Sequence, residues 1–313
     1  MPNPTKAAPP PLVIWHVSDG KAGHDQQARG LIQALSALTP VTTHQISLLG
    51  TVPALYTLLD KHYPDTSTLP TPQLLIGAGH ATHLSLLAAR RCRGGRIIVL
   101  MRPSLPCSWF DLCLIPEHDR PRASPHIIVT QGALNAMRRG TDKQSDLGVL
   151  LIGGPSPHVR WSDAQVVEQI AVICRLYPAM RWQLTTSRRT PTTLLPILGS
   201  HQLANLLVTP YQDCGPDWMR TMLGSAAMAW ITADSVSMIY EALTAGCACG
   251  IIELDHRTDN RVTRGLSTLQ QRDIVSTLSQ VRGGQQLRPP DPPFNEAARC
   301  AQLIYRRWLS HDE

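Results

Sequence analysis

Short, almost uninterrupted apolar runs alternate with helix-patterned stretches along the whole chain, and this alternation limits the possible folds most strongly. In the first half the apolar runs are PLVIWHV, QLLIGAG, RIIVLM, DLCLIP and HIIVT, all within residues 11–130. Apolar residues at helical spacing follow two of these runs, at residues 26–38 and 81–91. Strands that are apolar on both faces belong to parallel sheets covered by helices on both sides. The pattern therefore predicts an α/β fold.

The same alternation starts again after a polar, turn-rich stretch, RGTDKQSDL, at residues 139–147. The second series of apolar runs is GVLLIGGPS, RWQLTTS, LANLLVTP, AMAWITADS and CGIIELD, within residues 148–255. Two series of this length predict two domains of similar type. We expect a disordered Pro-rich tail at residues 1–11, a Rossmann-like domain at 12–143 and a second Rossmann-like domain at 144–313.

Composition narrows the range of partners and sites. The chain has a formal net charge of +6, with the excess in small arginine clusters. A positive balance favours phosphates or an anionic membrane surface. Nucleic acid is not expected, because the chain has no RNP motif, zinc finger or long basic helix. The eight cysteines form no CxxC pair and no DxD motif occurs, so no metal site is predicted. Neither a membrane span nor a secretion signal is recognisable, which predicts a cytoplasmic location.

Unusual residues gather in the loops that follow five of the predicted strands. These loops are SDGKAGH at 18–24, GAGH at 77–80, GGPS at 153–156, TTSRRTP at 185–191 and ADSVSM at 233–238. Ligands of open parallel sheets bind at the carboxyl ends of the strands, where glycines and helix N-termini expose backbone N–H groups. Five such loops, shared by both halves, predict a cleft that binds a phosphorylated ligand. The Walker and Rossmann glycine motifs are missing, which argues against an ATPase and an NAD enzyme.

Several side chains in these loops have both an ordinary and a functional interpretation. Arg188 and Arg189 either lie in a solvated turn or neutralise a diphosphate. The polar residues of ADSVSM cap a helix in the ordinary interpretation, and Glu241 one turn later holds ribose hydroxyls in the functional one. His24 is either a core histidine or a reactive group. Asp19 either caps a helix or acts as a general base.

The motifs SDGKAGHDQQARGL, PEHDRP, TQGALN, LLIGGPS, TTSRRTP and ADSVSMIYEA, in this order, resemble the mitochondrial-fission ELM-type family. Its bacterial members are classed by inference as glycosyltransferases. The resemblance extends from about residue 12 to residue 275. More distantly, the layout is similar to the GT-B glycosyltransferases, especially the enzyme that adds N-acetylglucosamine to the lipid-linked peptidoglycan precursor. The resemblance implies two Rossmann-like domains facing a central cleft, with the acceptor in the N-terminal domain and a nucleotide-diphosphate sugar in the C-terminal domain.

The resemblance also implies roles for individual residues. His24 or Asp19 would face the acceptor hydroxyl as the catalytic base, and Lys21, Gly79 and His80 would lie on the acceptor side. Within the donor site, Glu241 would bind the ribose and the start of its helix would meet the diphosphate. The donor-binding residues are Gly153, Gly154, Ser156, Ser187, Arg188, Arg189, Asp234, Ser235, Val236, Ser237, Met238 and Glu241.

The expected reaction is metal-independent transfer of a sugar to a lipid-linked or lipopolysaccharide-type acceptor, without a cofactor. The helix start at Ser235–Met238 and Arg188 would stabilise the leaving diphosphate. Asp255 and Asp259 are the candidates for binding the sugar hydroxyls. The expected location is the cytoplasm, at the periphery of the inner membrane. Two alternatives stay open: a non-catalytic, membrane-associated scaffold of the fission type, and a nucleotide-sugar epimerase.

Overall fold

The computed structural model describes residues 10–256 and 261–310. It divides into two compact units, Met1–Ala136 with Glu296–Glu313, and Met137–Asn295. We call these unit 1 and unit 2. Each unit contains a six-stranded sheet in which every pairing is parallel. The two predicted α/β sheets are therefore confirmed.

Unit 1 has the strand order β2-β1-β3-β4-β5-β6. Its strands are β1 (Leu12–Val17), β2 (Val41–Ile46), β3 (Leu74–Ala78), β4 (Arg96–Leu100), β5 (Leu112–Pro116) and β6 (Ile127–Thr130). Its first helices are α1 (Ala22–Ser36), α2 (Thr51–Asp60) and α3 (His83–Arg93). The chain moves from β1 to β2 on one side and then crosses to β3 on the other. The loops after β1 and β3 therefore flank the topological switch point, where open α/β sheets bind ligands.

The sheet of unit 1 buries a separate apolar layer on each face. Neighbouring residues of β1 show the division, because successive side chains of a strand point to opposite faces. Ile14 packs in one layer with Leu31 of α1, and Trp15 packs in the other with Leu86 of α3. All four side chains are fully buried. Burial on both faces explains why the strands of this sheet are almost continuously apolar.

Unit 2 has the strand order β10-β9-β7-β11-β12-β14. Its strands are β7 (Gln144–Leu151), β8 (Val159–Arg160), β9 (Arg181–Thr185), β10 (Leu206–Thr209), β11 (Ala226–Thr232), β12 (Ala248–Ile252), β13 (Asp255–His256) and β14 (Ser276–Thr277). Its helices are α4 (Asp163–Leu176), α5 (Leu194–Gly199), α6 (Trp218–Ser225), α7 (Val236–Ala245), α8 (Arg261–Gln271) and α9 (Leu278–Arg282). Strands β8 and β13 form a separate antiparallel pair. The chain adds β9 and β10 on one side of β7 and then crosses to β11 on the other side. The loops after β7 and β11 therefore flank a second switch point.

Unit 2 begins before the predicted boundary at residue 144. Met137 is its first residue, because the segment that follows is bonded within the unit. The Gly140 N–H donates to the Ala245 carbonyl at 3.2 Å. The Lys143 ammonium donates to the Leu223 carbonyl at 2.7 Å and to the Ala226 carbonyl at 2.9 Å. This segment therefore belongs to unit 2.

The last helix, α10 (Glu296–Trp308), is part of unit 1, contrary to the prediction that 144–313 form one domain. Cys300 and Ile304 are fully buried in the apolar layer that also contains Leu31 of α1. The sequence of this helix is amphipathic, and its apolar face packs on the first sheet. Of the predicted tail, residues 1–9 lie outside the described residues. Within the described ranges, no helix is long and apolar enough to cross a bilayer.

Candidate functional site

The loop after β1 folds around one buried carboxylate at the switch point of unit 1. The Asp19 side chain is only 3% exposed. It accepts a hydrogen bond from Nδ1 of His24 at 2.9 Å and another from the Lys21 backbone N–H at 3.2 Å. The exposed Lys21 ammonium lies 3.6 Å from the same carboxylate. The structure thus brings Asp19, Lys21 and His24 together at the start of α1.

Electrostatics keep Asp19 ionised. Burial raises its pKa, but the hydrogen bonds from His24 and Lys21, together with their charges, outweigh burial and lower the pKa below its usual value. An ionised carboxylate can only accept, so Nδ1 of His24 carries the proton. The Nε2 of the neutral imidazole is then left as a proton acceptor. This arrangement suits His24 as a general base and Asp19 as the group that orients its ring.

Gly79, just after β3, packs against the Asp19–His24 pair. Its φ is +82°, and a Cβ at this position would lie 2.4 Å from Cε1 of His24 and 3.3 Å from Oδ2 of Asp19. Only glycine has both the conformation and the room for this approach. His80 is exposed and begins the short 3₁₀ turn that leads into α3. Gly79 is therefore part of the Asp19–His24 site, whereas His80 lies on the surface.

A second buried carboxylate, Asp234, links three loops at the switch point of unit 2. Its side chain is fully buried. Oδ2 accepts hydrogen bonds from the Gly154 N–H at 3.1 Å, from Nη2 of Arg189 at 2.6 Å and from the Ser235 hydroxyl at 3.1 Å. A Cβ on Gly153 would lie 2.2 Å from the same Oδ2. Asp234 therefore holds together the loops that follow β7, β9 and β11.

Two threonine hydroxyl groups that the sequence pattern did not indicate, those of Thr190 and Thr232, complete this network together with Ser187. The Thr232 hydroxyl accepts the Gly153 N–H at 2.8 Å. The Thr190 hydroxyl donates to the Gly153 carbonyl and accepts the Ser187 N–H at 2.8 Å. The Ser187 hydroxyl donates to the same carbonyl at 3.0 Å. Both threonines lie near the carboxyl ends of apolar strands, and this position is the sequence feature that could have identified them as site residues.

The N-terminus of α7 has no side-chain cap. Ser235 is the N-cap residue, but its side chain makes no capping hydrogen bond and donates to Asp234 instead. The backbone N–H groups at 236–238 have no partner among the described residues, and the first bonded N–H is that of Ile239, which donates to the Ser235 carbonyl at 3.2 Å. Free N–H groups at a helix N-terminus attract anions, and the helix dipole adds to this attraction.

The two neighbouring arginines of the loop after β9 differ in their environment. Arg189 donates to the Gly154 carbonyl at 2.9 Å as well as to Asp234, so its guanidinium holds the loops in place. Arg188 is exposed, and it has no hydrogen-bond or ionic partner within the described part of the chain. Arg188 is therefore the arginine that is available to a ligand.

Glu241 lies on the same side of α7 as the exposed Ser237 and the half-buried Met238, because residues three and four apart share a helix face. Burial raises its pKa to about 7. Among the described residues, none forms a hydrogen bond with the Glu241 carboxyl. A partly buried carboxyl without partners is costly, and the hydroxyl groups of a ligand would supply the missing hydrogen bonds.

In the described part of the chain, Ser156 and Asp255 take no part in the hydrogen-bond network around Asp234. Ser156 accepts the His158 N–H at 3.3 Å in the turn that leads to β8, so it shapes this turn. Asp255 is exposed in β13, and Asp259 lies outside the described residues. Within residues 10–256 and 261–310, no group of three or more His, Cys, Asp or Glu side chains is arranged to hold a metal ion.

Sequence comparison places both units in one family. The model of the family described as mitochondrial fission ELM1 matches residues 22–308. The chain belongs to the mitochondrial fission ELM1 family. It is 23% identical over 293 residues to the uncharacterized protein RP120 of Rickettsia prowazekii, covering 74% of this chain and 81% of that protein. It is 23% identical over 274 residues to the mitochondrial fission protein ELM1 of Arabidopsis thaliana, covering 75% of this chain and 64% of the plant protein.

A solved structure shows the same fold. A protein described as a UDP-N-acetylglucosamine 2-epimerase from Listeria monocytogenes superposes with a TM-score of 0.61 at 10% sequence identity. The superposition covers 97% of this chain and 98% of that protein. At this identity the likeness concerns the fold alone, and it confirms the predicted GT-B-like class with two Rossmann-like domains.

Proposed function

We propose that this member of the ELM1 family is a glycosyltransferase that moves a sugar from a nucleotide-diphosphate sugar to a lipid-linked or lipopolysaccharide-type acceptor of the cell envelope. The observation that carries the proposal is the uncapped N-terminus of α7, whose free N–H groups at 236–238 precede the unpaired Glu241. The loop after β9, which is bonded to this helix start through Arg189, adds the exposed Arg188. Unit 2 thus offers donors for a diphosphate and an acceptor for ribose hydroxyls.

The groups around α7 are suited to stabilise a leaving diphosphate. Negative charge grows on the diphosphate as its bond to the sugar breaks. The N–H groups at 236–238 and the Arg188 guanidinium interact more strongly with this growing charge than with the ground state. Because these groups are N–H donors and a cation rather than a set of carboxylates, the proposal includes metal independence.

Glu241 is proposed to bind the ribose of the donor. An ionised carboxylate accepts hydrogen bonds from two neighbouring hydroxyl groups. Burial favours the neutral form in the free protein, with a pKa of about 7. Hydrogen bonds from the ribose favour the ionised form and lower this pKa. Nucleotide binding would therefore release a proton near neutral pH.

The Asp19–His24 pair of unit 1 is proposed to act on the acceptor. The acceptor hydroxyl gives its proton to Nε2 of His24 as its oxygen bonds to the sugar carbon, and the diphosphate leaves with the electron pair of the broken bond. Asp19 stabilises the resulting imidazolium through the 2.9 Å hydrogen bond to Nδ1. Lys21, Gly79 and His80 are proposed to lie on the acceptor side.

Two other functions make different predictions. The Listeria protein is described as an epimerase, and an epimerase would interconvert nucleotide sugars without an acceptor. The Arabidopsis protein is named for mitochondrial fission, and a non-catalytic, membrane-associated scaffold would bind no nucleotide. A transferase releases free nucleoside diphosphate only when an acceptor is present. The proposed place of action is the cytoplasmic surface of the inner membrane, with no nucleic-acid partner.

A thermal-shift screen of nucleoside diphosphates and nucleotide sugars tests the donor site. A ligand at 100 times its Kd stabilises the folded state by about 2.7 kcal/mol. We expect one nucleotide to raise the Tm of the wild type and to lose this effect in Glu241→Ala. Glu168→Ala, which removes a 61% exposed carboxylate from α4, is the matched control and should keep the shift. No shift with any nucleotide would reassign the protein to the scaffold class.

A further inference from the structure

Helix α2 exposes a stripe of large apolar side chains. Val52, Leu55, Tyr56 and Leu59 are 61%, 51%, 66% and 81% exposed. Their spacing of three, one and three residues places them on one side of the helix. We call these four residues the α2 stripe. Contiguous exposed apolar side chains of this kind mark interaction surfaces in soluble proteins.

The other side of α2 is buried and uncharged. Ala54 and Thr57 are buried, and Leu58 packs on the apolar layer of unit 1. No residue from Thr51 to Leu59 is charged. A helix with one face in water normally carries polar residues on that face, whereas a helix that is apolar all round is surrounded by protein or lipid. The outer side of α2 therefore lacks the surface chemistry of a solvated helix.

Basic residues border the C-terminal end of the α2 stripe. The Cys92 thiol donates to the Thr57 carbonyl at 3.7 Å, so the last turn of α3 lies against α2. Arg91 in that turn is exposed, and it has no partner among the described residues. Lys61, the C-cap residue of α2, is also exposed. Both cations are available to an anionic surface that meets the stripe.

The charge around this end of α2 is positive in balance. Lys61, Arg91 and Arg93 are the cations, and Asp60 and Asp65 are the carboxylates. The whole chain carries a net charge of +6. Helices that lie in a membrane interface combine an apolar face with bordering Lys and Arg side chains. Tyrosine suits the same position, because its ring is apolar and its hydroxyl reaches the polar layer.

We propose that the α2 stripe docks unit 1 on an anionic lipid bilayer. The four apolar side chains enter the boundary between headgroups and acyl chains, and Lys61 and Arg91 meet the lipid phosphates. The inference rests on the proposed function, in which the acceptor is carried by a membrane. It names a surface of unit 1 that is separate from the Asp19–His24 pair and from the α7 site.

Vesicle co-sedimentation of the full chain tests the apolar part of the proposal. With vesicles of phosphatidylglycerol and phosphatidylethanolamine, Leu55→Ser combined with Leu59→Ser should lower the partition constant roughly 10- to 100-fold, because two leucines lose their burial. The matched control is Leu176→Ser combined with Leu207→Ser, two leucines of unit 2 that are 42% and 59% exposed. This control should bind like the wild type, and circular dichroism should show unchanged folding in both variants.

The basic border is tested with vesicles of different charge. Lys61→Gln combined with Arg91→Gln should weaken binding to the anionic vesicles about fivefold for each cation removed. Binding to pure phosphatidylcholine vesicles should change little. The control Arg175→Gln with Arg220→Gln removes two exposed arginines of unit 2 and should leave both affinities unchanged.

Three results would overturn the docking proposal. The first is a wild type that does not sediment with anionic vesicles, and the second is an equal loss in the Leu176 and Leu207 control. The third is self-association without vesicle binding, seen by analytical ultracentrifugation and lost in the Leu55 and Leu59 variant, which would assign the stripe to a second copy. Nucleotide-induced Tm shifts in the same variants separate the two proposals. Shifts kept without vesicle binding refute docking alone, and vesicle binding without shifts refutes the donor site alone.

Discussion

The switch point of each unit contains a buried aspartate, which follows the first strand, β1, in unit 1 and the strand after the crossover, β11, in unit 2. In unit 1, Asp19 accepts a hydrogen bond from a histidine, His24, at 2.9 Å. In unit 2, Asp234 accepts one from an arginine, Arg189, at 2.6 Å. In both units a glycine of a neighbouring loop leaves no room for a Cβ, which would lie 2.4 Å from His24 on Gly79 and 2.2 Å from Asp234 on Gly153.

The partner of the buried aspartate decides what each loop can do. Because Nδ1 of His24 is hydrogen-bonded to Asp19, its Nε2 is available to accept a proton from a substrate. Arginine stays charged, so the pair in unit 2 is a fixed frame that orients the start of α7 and leaves its N–H groups free. We propose that the switch point of unit 1 serves proton transfer and that the switch point of unit 2 serves anion binding.

The substitution His24→Gln tests the proposed difference between the two units. We expect it to lower turnover by about 10²- to 10⁴-fold, because the general base is lost. Nucleotide affinity should not change, because the proposed donor site lies in unit 2. The checks are the initial rate of nucleoside diphosphate release with a lipid acceptor, and calorimetric titration with the nucleotide. His62→Gln, at an exposed histidine of the same unit, is the control. A parallel loss of nucleotide affinity would contradict the division between the units.

The two neighbouring arginines of unit 2 should behave differently, because only Arg189 is bonded to Asp234. Arg189→Ala leaves Asp234 charged, buried and without its cation, so we expect a loss of roughly 2–3 kcal/mol of folding stability. This is below the value for a fully buried pair, since the Arg189 side chain is 45% exposed. Urea unfolding measures the loss.

Arg188→Ala should do the reverse. It should leave folding stability unchanged and weaken nucleoside diphosphate binding roughly 10- to 100-fold, because a charge-assisted hydrogen bond is lost. Calorimetric titration measures the affinity. If Arg188→Ala destabilised the protein as much as Arg189→Ala, or left the affinity intact, the assignment of the two arginines would be wrong.

The strands that are buried on both faces were predictable from the sequence, whereas the edge of the first sheet was not. Strand β2 reads VTTHQI and only Ile46 is buried, because the strand has a neighbour on one side alone. The sequence pattern did not predict helix α2, because apolar residues on both of its sides hide the helical period. The amphipathic pattern of α10 indicates only that one face is buried, and not which sheet covers it.

The loops of the candidate site were predictable from glycines and polar residues, but the pairings within them were not. Arg189 and Asp234 are 45 residues apart, and Gly153 and Thr232 are 79 apart. Only the strand order β9-β7-β11 brings these residues together. For the same reason the sequence could not separate Arg188 from Arg189, which differ only in what they touch.

The pH dependence of stability tests the unpaired carboxyl of unit 2. Burial raises the pKa of Glu241 from 4.5 to about 7, so the folded state keeps a proton that the unfolded state releases. Stability therefore falls as pH rises from about 4.5 to 7, by roughly 2–3 kcal/mol. The glutamine of Glu241→Gln does not titrate. The Tm of this variant minus the Tm of the wild type should therefore increase between pH 5 and pH 8. Glu168→Gln should show no such trend, and a constant difference for Glu241→Gln would contradict the buried, unpaired state.

The smallest expected effect on turnover concerns the glycine contact in unit 1, and two glycines allow a matched test. Gly79 and Gly20 both have positive φ, +82° and +76°, but a Cβ on Gly20 meets nothing within 4 Å. Gly20→Ala should therefore cost only the backbone term, about 1 kcal/mol. Gly79→Ala should cost about 1–2 kcal/mol more, because its Cβ displaces His24, and turnover should fall about tenfold. Urea unfolding and initial rates measure the two effects. If Gly79→Ala lost stability but kept full turnover, the position of the imidazole would not matter to the reaction. The pair in unit 1 would then be a structural anchor, like the Asp234–Arg189 pair in unit 2.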